Sequence, residues 1–370
     1  MTPPGTRLAI GAVLASLLAA AMLLVFALDG SARAERQDAT AATSPSTEVP
    51  STATGSGVTT TPSASRGQGT VQQGSASILG VDAPDPYVLD APTGPILFTT
   101  NTASGNVPAM AASTAMAADS PDFVDALPVL PAWAESGSTW APAVTPADGK
   151  YVLVFAARDR ASGRQCIGAA TSTTALGPYV AVPEPLVCDV DEGGAIDPSF
   201  VASDDGTIRL VYKTDGNCCG LPTSIRSVAL DKTATQVTAE PVTLLVADQA
   251  WEGGVVEAPS MVSVDGRWLL FYSANDWKDE AYAVGAAWCQ SPIGPCVKLA
   301  GPVLESGAGL DGPGGLEVVS GGSTAGGLFV AFHAWPEGQV GYESGSVRQL
   351  HIGRLEIDGD RVTVVSLSRS

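Results

Sequence analysis

A fivefold internal repeat constrains this chain more than any other feature. Five segments open with a short polar motif that usually contains proline, then run through a glycine turn into an apolar strand. They start at Asp85-Pro86-Tyr87-Val88, Trp140-Ala141-Pro142-Ala143, Asp197-Pro198-Ser199-Phe200, Glu257-Ala258-Pro259-Ser260 and Gly312-Pro313-Gly314-Gly315. With residues 85, 140, 197, 257 and 314 as marks, the steps are 55, 57, 60 and 57 residues. The strand after each mark also repeats, as in Lys150–Phe155, Thr207–Tyr212 and Arg267–Tyr272. Asp148-Gly149, Asp205-Gly206, Asp265-Gly266 and Gly326-Gly327 precede four of these strands, and Asp-Gly between apolar runs is a strong hairpin signal. Each repeat has room for about four short strands, and no segment past residue 80 shows a helical period. The predicted fold is all-β, a five-bladed β-propeller over residues 79–370. A β-sandwich gives no reason for the period.

The chain before the repeats is of a different kind. Arg7 precedes an uncharged apolar run, Leu8 to Leu28, long enough as a helix to cross a bilayer core. Ala32-Arg33-Ala34 comes next as a small-x-small cleavage pattern. Residues 1–34 therefore read as a signal peptide or a membrane anchor, and either one exports the remainder of the chain. Residues 35–78 are rich in Ser, Thr, Ala, Pro and Gly and predict a disordered linker. The expected location is extracellular, secreted or held at the membrane by the N-terminal helix alone. Six cysteines suit an oxidising compartment. Cys289 and Cys296 flank a turn and can clip a hairpin, Cys166 and Cys188 are the next plausible pair, and the adjacent Cys218 and Cys219 have no assigned partners.

A net charge of −19 excludes a phosphate-backbone partner and disfavours a polyanionic substrate. With two histidines, a multi-histidine metal site is not expected. No Gly-x-Ser-x-Gly elbow or phosphate-binding loop occurs. The repeat itself points to chemistry. In a propeller the first strand of each blade lines the axial channel, so Asp85, Trp140, Asp197, Glu257 and the Gly312–Gly315 turn meet at one end. Clustered acids separate in pKa and yield one proton donor and one ionised base, which is what glycoside hydrolysis requires.

Asp85-Pro86-Tyr87-Val88, Ile196-Asp197-Pro198-Ser199 and Val256-Glu257-Ala258-Pro259, in this order and spacing, resemble glycoside hydrolase family 43. So do Trp140-Ala141-Pro142, Tyr212-Lys213-Thr214-Asp215-Gly216-Asn217, Phe271-Tyr272-Ser273 and Phe332-His333-Ala334-Trp335. The resemblance runs from about Val81 to the C-terminus. It implies an inverting enzyme in which Asp85 is the general base, Glu257 the general acid, and Asp197 holds the acid and raises its pKa. It also implies that His333 contacts a calcium or other ion through a hydrated shell; the alternative is a core histidine. Gly314-Gly315 departs from many relatives, which have a polar residue or histidine there. His351 reads as structural. Trp140 is the candidate sugar platform or else a core tryptophan, and Asn217, Ser273, Asn275, Trp277 and Arg348 are candidate substrate contacts. No organic cofactor is expected, and the partner is a polysaccharide or oligosaccharide acted on by a monomer. The Asp215-Gly216-Asn217 and His333-Ala334-Trp335 contexts resemble arabinan-active members, so α-L-arabinofuranosyl linkages are the expected target. A β-xylosidase or a non-catalytic carbohydrate-binding propeller are the alternatives.

Overall fold

The computed structural model describes residues 77–111, 122–203, 205–319 and 328–367. The expected apolar helix, the cleavage triplet, the linker up to residue 76 and the Gly326-Gly327 turn lie outside them. Among the described residues, no helix is long and apolar enough to cross a membrane.

Five four-stranded antiparallel sheets succeed one another along the chain, the five blades expected from the period. Blade one holds β1 (Tyr87–Ala91), β2 (Gly94–Phe98), β3 (Pro108–Ala111) and β4 (Val124–Asp125); blade two holds β5 (Ala134–Ala147), β6 (Lys150–Asp159), β7 (Gln165–Ser172) and β8 (Val180–Ala181). Blade three holds β9 (Ala195–Ala202), β10 (Ile208–Thr214), β11 (Ser224–Ala229) and β12 (Val242–Val246). Blade four holds β13 (Val256–Val264), β14 (Arg267–Ala274), β15 (Ala283–Cys289) and β16 (Cys296–Lys298). Blade five holds β17 (Leu310–Val318), β18 (Phe329–Pro336), β19 (Gln349–Asp358) and β20 (Arg361–Leu367). The first strands β1, β5, β9, β13 and β17 touch in sequence, and β17 returns to β1, which closes the ring.

Local chemistry accounts for the hairpins. Asp148-Gly149 and Asp265-Gly266 both adopt positive φ and make two-residue turns, with Ala147 paired to Lys150 and Val264 to Arg267. That is the mirror-image turn whose twist matches the strands, and Asp and Gly tolerate it best. Between the blades lie apolar layers, such as Leu269, Phe271, Leu316, Val330 and Phe332 between blades four and five. Each fully buried side chain of this size contributes roughly 1.5–3 kcal/mol. The N-terminal segment seals the ring: the Ile78 amide donates to Leu350 O at 2.8 Å and the Ala83 amide to Arg348 O at 2.9 Å. Ile78 is buried and so belongs to the folded domain rather than to the linker.

All six cysteines are paired, Cys166–Cys188, Cys289–Cys296 and Cys218–Cys219. The first two agree with the sequence expectation. The third joins neighbours in the chain, within the short 3-10 turn Gly216–Cys219 on the face that carries the acids.

Candidate active site

The structure refines the repeat by one residue. Asp85, Ala141, Asp197, Ala258 and Gly315 share the same left-handed backbone, with φ of 49, 46, 53, 47 and 57°. Proline follows the first four. The ladders of the blades slip here, between Trp140 and Ala143, between Glu257 and Ser260, and between Gly314 and Glu317. These are bulges, which re-aim a side chain beside an active site; the proline removes an amide that the interrupted ladder does not need. Asp85 and Asp197 occupy the left-handed position itself. Trp140 and Glu257 stand one residue earlier, where the next residue is alanine. The acids therefore come from two different positions of one repeated bulge, a distinction that strict equivalence of the marks obscures.

Asp85, Asp197 and Glu317 face a narrow axial chamber of about 30 Å³, enough to admit water. Glu257 opens onto a cleft of about 600 Å³ with Asn217, Asn275, Trp277 and Lys278. The acids thus border two spaces, with Asp197 and Glu257 interacting across them.

Asp85 is held by several donors. The Thr100 hydroxyl donates to its Oδ2 at 2.6 Å and accepts the Ala141 amide at 2.8 Å, which ties blade one to blade two. Arg348 brings a guanidinium nitrogen to 3.5 Å of Asp85 Oδ1. Arg348 is itself buried, bonded to the Tyr342 hydroxyl at 3.2 Å and lying 4.5 Å from the Trp277 ring centre. Trp277 stacks on Trp335, and Tyr342 meets both edge-on. The candidate contacts Arg348 and Trp277 thus form one aromatic and cationic wall beside Asp85.

Glu257 is gripped at both oxygens. Lys213 Nζ lies 2.8 Å from Oε2, and the Tyr282 hydroxyl donates to Oε1 at 2.6 Å. Asp197 accepts the Ala258 amide at 2.9 Å, so it fixes the backbone next to Glu257 rather than the Glu257 carboxyl itself. Burial and the neighbouring Glu257 charge push the Asp197 carboxyl up to about 8. Burial opposes the Lys213 charge, but Glu257, Asp197 and Asp215 outweigh it and hold the ammonium above its usual range.

Gly314 and Gly315 make this packing feasible. A Cβ on Gly314 would lie 1.9 Å from the Tyr282 ring, and one on Gly315 would lie 2.7 Å from the His333 ring. The departure at Gly314-Gly315 is the room that Tyr282 and His333 occupy.

His333 is fully buried, and burial first, then the Arg348 charge, hold it well below its usual pKa. Its Nδ1 accepts the Asp85 amide at 3.1 Å, so the neutral ring carries its proton on Nε2, which has no partner among the described residues. Neither nitrogen then offers a lone pair, and among the described residues no three His, Cys, Asp or Glu side chains group as metal ligands. The residues do not fit direct ligation of calcium by His333. An ion held through water alone is the form of that expectation left.

Two candidate contacts have other duties. The Ser273 hydroxyl is buried and accepts the Gly315 amide at 3.0 Å, joining blades four and five. The Asn275 amide nitrogen donates to Trp251 O and Ala281 O and so shapes the loop that lines the cleft. Asn217 is exposed on the cleft wall, and Trp140 is half-buried at the start of blade two. His351 stacks on Phe332 in the core as expected of a structural residue. Lys213, Tyr282, Thr100 and Glu317 are polar groups at the site that the sequence did not single out. Only Lys213 left a signal there, a cation at the end of the apolar strand β10.

Comparisons with known proteins place the propeller in a family. Residues 76–362 match the model of Glycosyl hydrolases family 43. The chain is 28% identical over 186 residues to the β-D-galactofuranosidase xynD of Aspergillus niger, covering 47% of this chain and 50% of that protein. It is 27% identical over 198 residues to extracellular endo-α-(1->5)-L-arabinanase 1 of Bacillus subtilis, covering 49% and 58%. The matched region thus spans about half the length of these curated relatives. Among solved structures, a thermostable family-43 glycoside hydrolase superimposes with a TM-score of 0.66 at 25% identity, covering 80% of this chain and 97% of the other. An endo-1,4-β-xylanase from Bacteroides thetaiotaomicron gives 0.63 at 26% identity, covering 79% and 97%. With five blades, carboxylates raised on repeated bulges and a family match across the propeller, this chain belongs to glycosyl hydrolases family 43.

Proposed function

We propose that the protein is an inverting glycoside hydrolase that cleaves α-L-arabinofuranosyl linkages in polysaccharides or oligosaccharides. The observation that carries the reading is the convergence of Asp85, Asp197 and Glu257 at the channel mouth on three different blades. Asp85, on blade one, removes a proton from the attacking water. Its bond from Thr100 and its proximity to Arg348 orient it for that step. Glu257, on blade four, protonates the leaving oxygen from the cleft side. Blade five separates these two blades around the ring, and inversion demands room for a water between the two carboxyls. Asp197 positions the Glu257 backbone through Ala258. Trp140, Trp277, Asn217 and Arg348 contact the sugar, the aromatic faces supplying apolar surface and the polar groups orientation. Three disulfides and the apolar N-terminal run support export.

The arabinofuranosyl preference rests on the motif contexts and on the arabinanase relative; a relative named for β-D-galactofuranoside cleavage makes that furanoside the second reading. The test is hydrolysis of aryl α-L-arabinofuranoside, β-D-xyloside and β-D-galactofuranoside, and of linear arabinan, by the full chain, with the product anomer followed by NMR. Arabinofuranoside cleavage with inversion, reduced at least ~1,000-fold in folded Glu257→Gln, is expected. Retained configuration, or full activity in that variant, would refute the mechanism.

A further inference from the structure

Lys213 is a buried cation that a pair of carboxylates does not by itself call for. It is the penultimate residue of β10, with 1% of its surface exposed, and a buried ammonium survives only where anions and hydrogen bonds replace water. Its Nζ lies 2.8 Å from Glu257 Oε2 and 3.5 Å from Asp215 Oδ1. A proton donor needs its proton when substrate arrives, yet a cation bonded to a carboxyl favours loss of that proton. Other carboxylates stand nearby: Asp197 on β9 and Asp215 after β10 interact with Glu257, and Asp85, ahead of β1, interacts with Asp197. Tyr282, from the loop between β14 and β15, donates to the other Glu257 oxygen, and the neutral His333 stacks on its ring. Arg348 is the second cation at the site and lies against Asp85.

We propose that Lys213 is a positioning residue of the glycosidic step: with Tyr282 it fixes the plane of the Glu257 carboxyl, and its charge sets the upper pH limit of the reaction. The inference rests on the reading of Glu257 as proton donor. Carboxylates crowd a donor that must still release its proton to a leaving oxygen at working pH. Lys213 Nζ sets a positive charge among those carboxylates, against Glu257 Oε2 and Asp215 Oδ1. Asp215 anchors the ammonium from a second side.

The experiment is a pH profile of kcat/KM for the wild type, Lys213→Met and Lys213→Arg, on whichever aryl glycoside the wild type cleaves. Loss of the charge in Lys213→Met moves the alkaline limb upward by about one pH unit or more, a tenfold change in proton affinity or greater. kcat falls about 10- to 100-fold on a poor leaving group and much less on a dinitrophenyl glycoside, which departs without a proton. Lys213→Arg keeps the limb near its original place. Because Lys213→Met leaves carboxylates facing one another, the double variant Lys213→Met/Asp215→Asn, which removes one charge of each sign, is measured beside it. A limb that does not move in folded variants, with equal losses on both leaving groups, overturns the proposal. An inactive Glu257→Gln beside that result leaves the glycosidase reading standing; an active Glu257→Gln removes both.

Discussion

Glu317 allows a quantitative test of how the channel is built. It sits on β17, lines the axial chamber, and accepts hydroxyl hydrogens from Ser199 at 3.0 Å and Ser260 at 2.9 Å, both on Oε1. One carboxyl thus joins blades three, four and five. Burial pushes its pKa from 4.5 up to about 8, against the two serine bonds. The folded state therefore holds a proton that the unfolded chain releases, and stability falls as pH rises from about 4.5 to about 8. At about 1.4 kcal/mol per unit the full span is worth about 5 kcal/mol. Glu317 keeps part of its surface exposed, and solvent screening there reduces this to about 2–3 kcal/mol. Glu317→Gln keeps the acceptor for both serines and cannot ionise. In urea unfolding the variant should match the wild type within about 1 kcal/mol at pH 5 and exceed it by about 2–3 kcal/mol at pH 9. Asp197, with its own raised pKa, is present in both proteins, so it cancels in the difference. A difference that stays flat across this range would show that Glu317 is already ionised at neutral pH and that its burial has been misjudged.

Two further outcomes test the frame around the acids. Thr100→Val removes the donor to Asp85 and leaves the Ala141 amide unpaired; it should cost about 1–3 kcal/mol in denaturant unfolding and lower kcat, whereas Thr100→Ser should restore both. Replacing Cys166 and Cys188 by serine opens a loop whose ends are 22 residues apart and should cost on the order of 3 kcal/mol, read as a lower urea midpoint with KM unchanged; an unaltered midpoint would show that β7 and the segment before β9 are held by packing alone.

Much of this molecule was legible along the chain. The blade count came from the period, the hairpins from Asp-Gly, and two disulfides from turns between cysteines, because each of these is local or repeats at a fixed interval. The three acids stood out because carboxylates replaced one another at a position where a structural repeat would keep one residue type. The one-residue offset of Glu257 shows in the sequence only as a proline two residues on instead of one; its meaning needed the structure, because it depends on which residue of a bulge adopts positive φ, and Asp and Ala both do so here. Nor were the second duties of Ser273 and Asn275, whose side chains bond to backbone across a blade boundary or a loop.

The amino-acid sequence by itself determined the five blades, the export-compatible cysteines and the identity of the acids. Tertiary structure alone decided their partners: Lys213 and Tyr282 on Glu257, Thr100 and Arg348 by Asp85, and the glycines that admit Tyr282 and His333. The physical reason is separation. The Asp85 amide and the His333 ring that accepts it are 248 residues apart, and ring closure brings them together at a point that no pattern along the chain records.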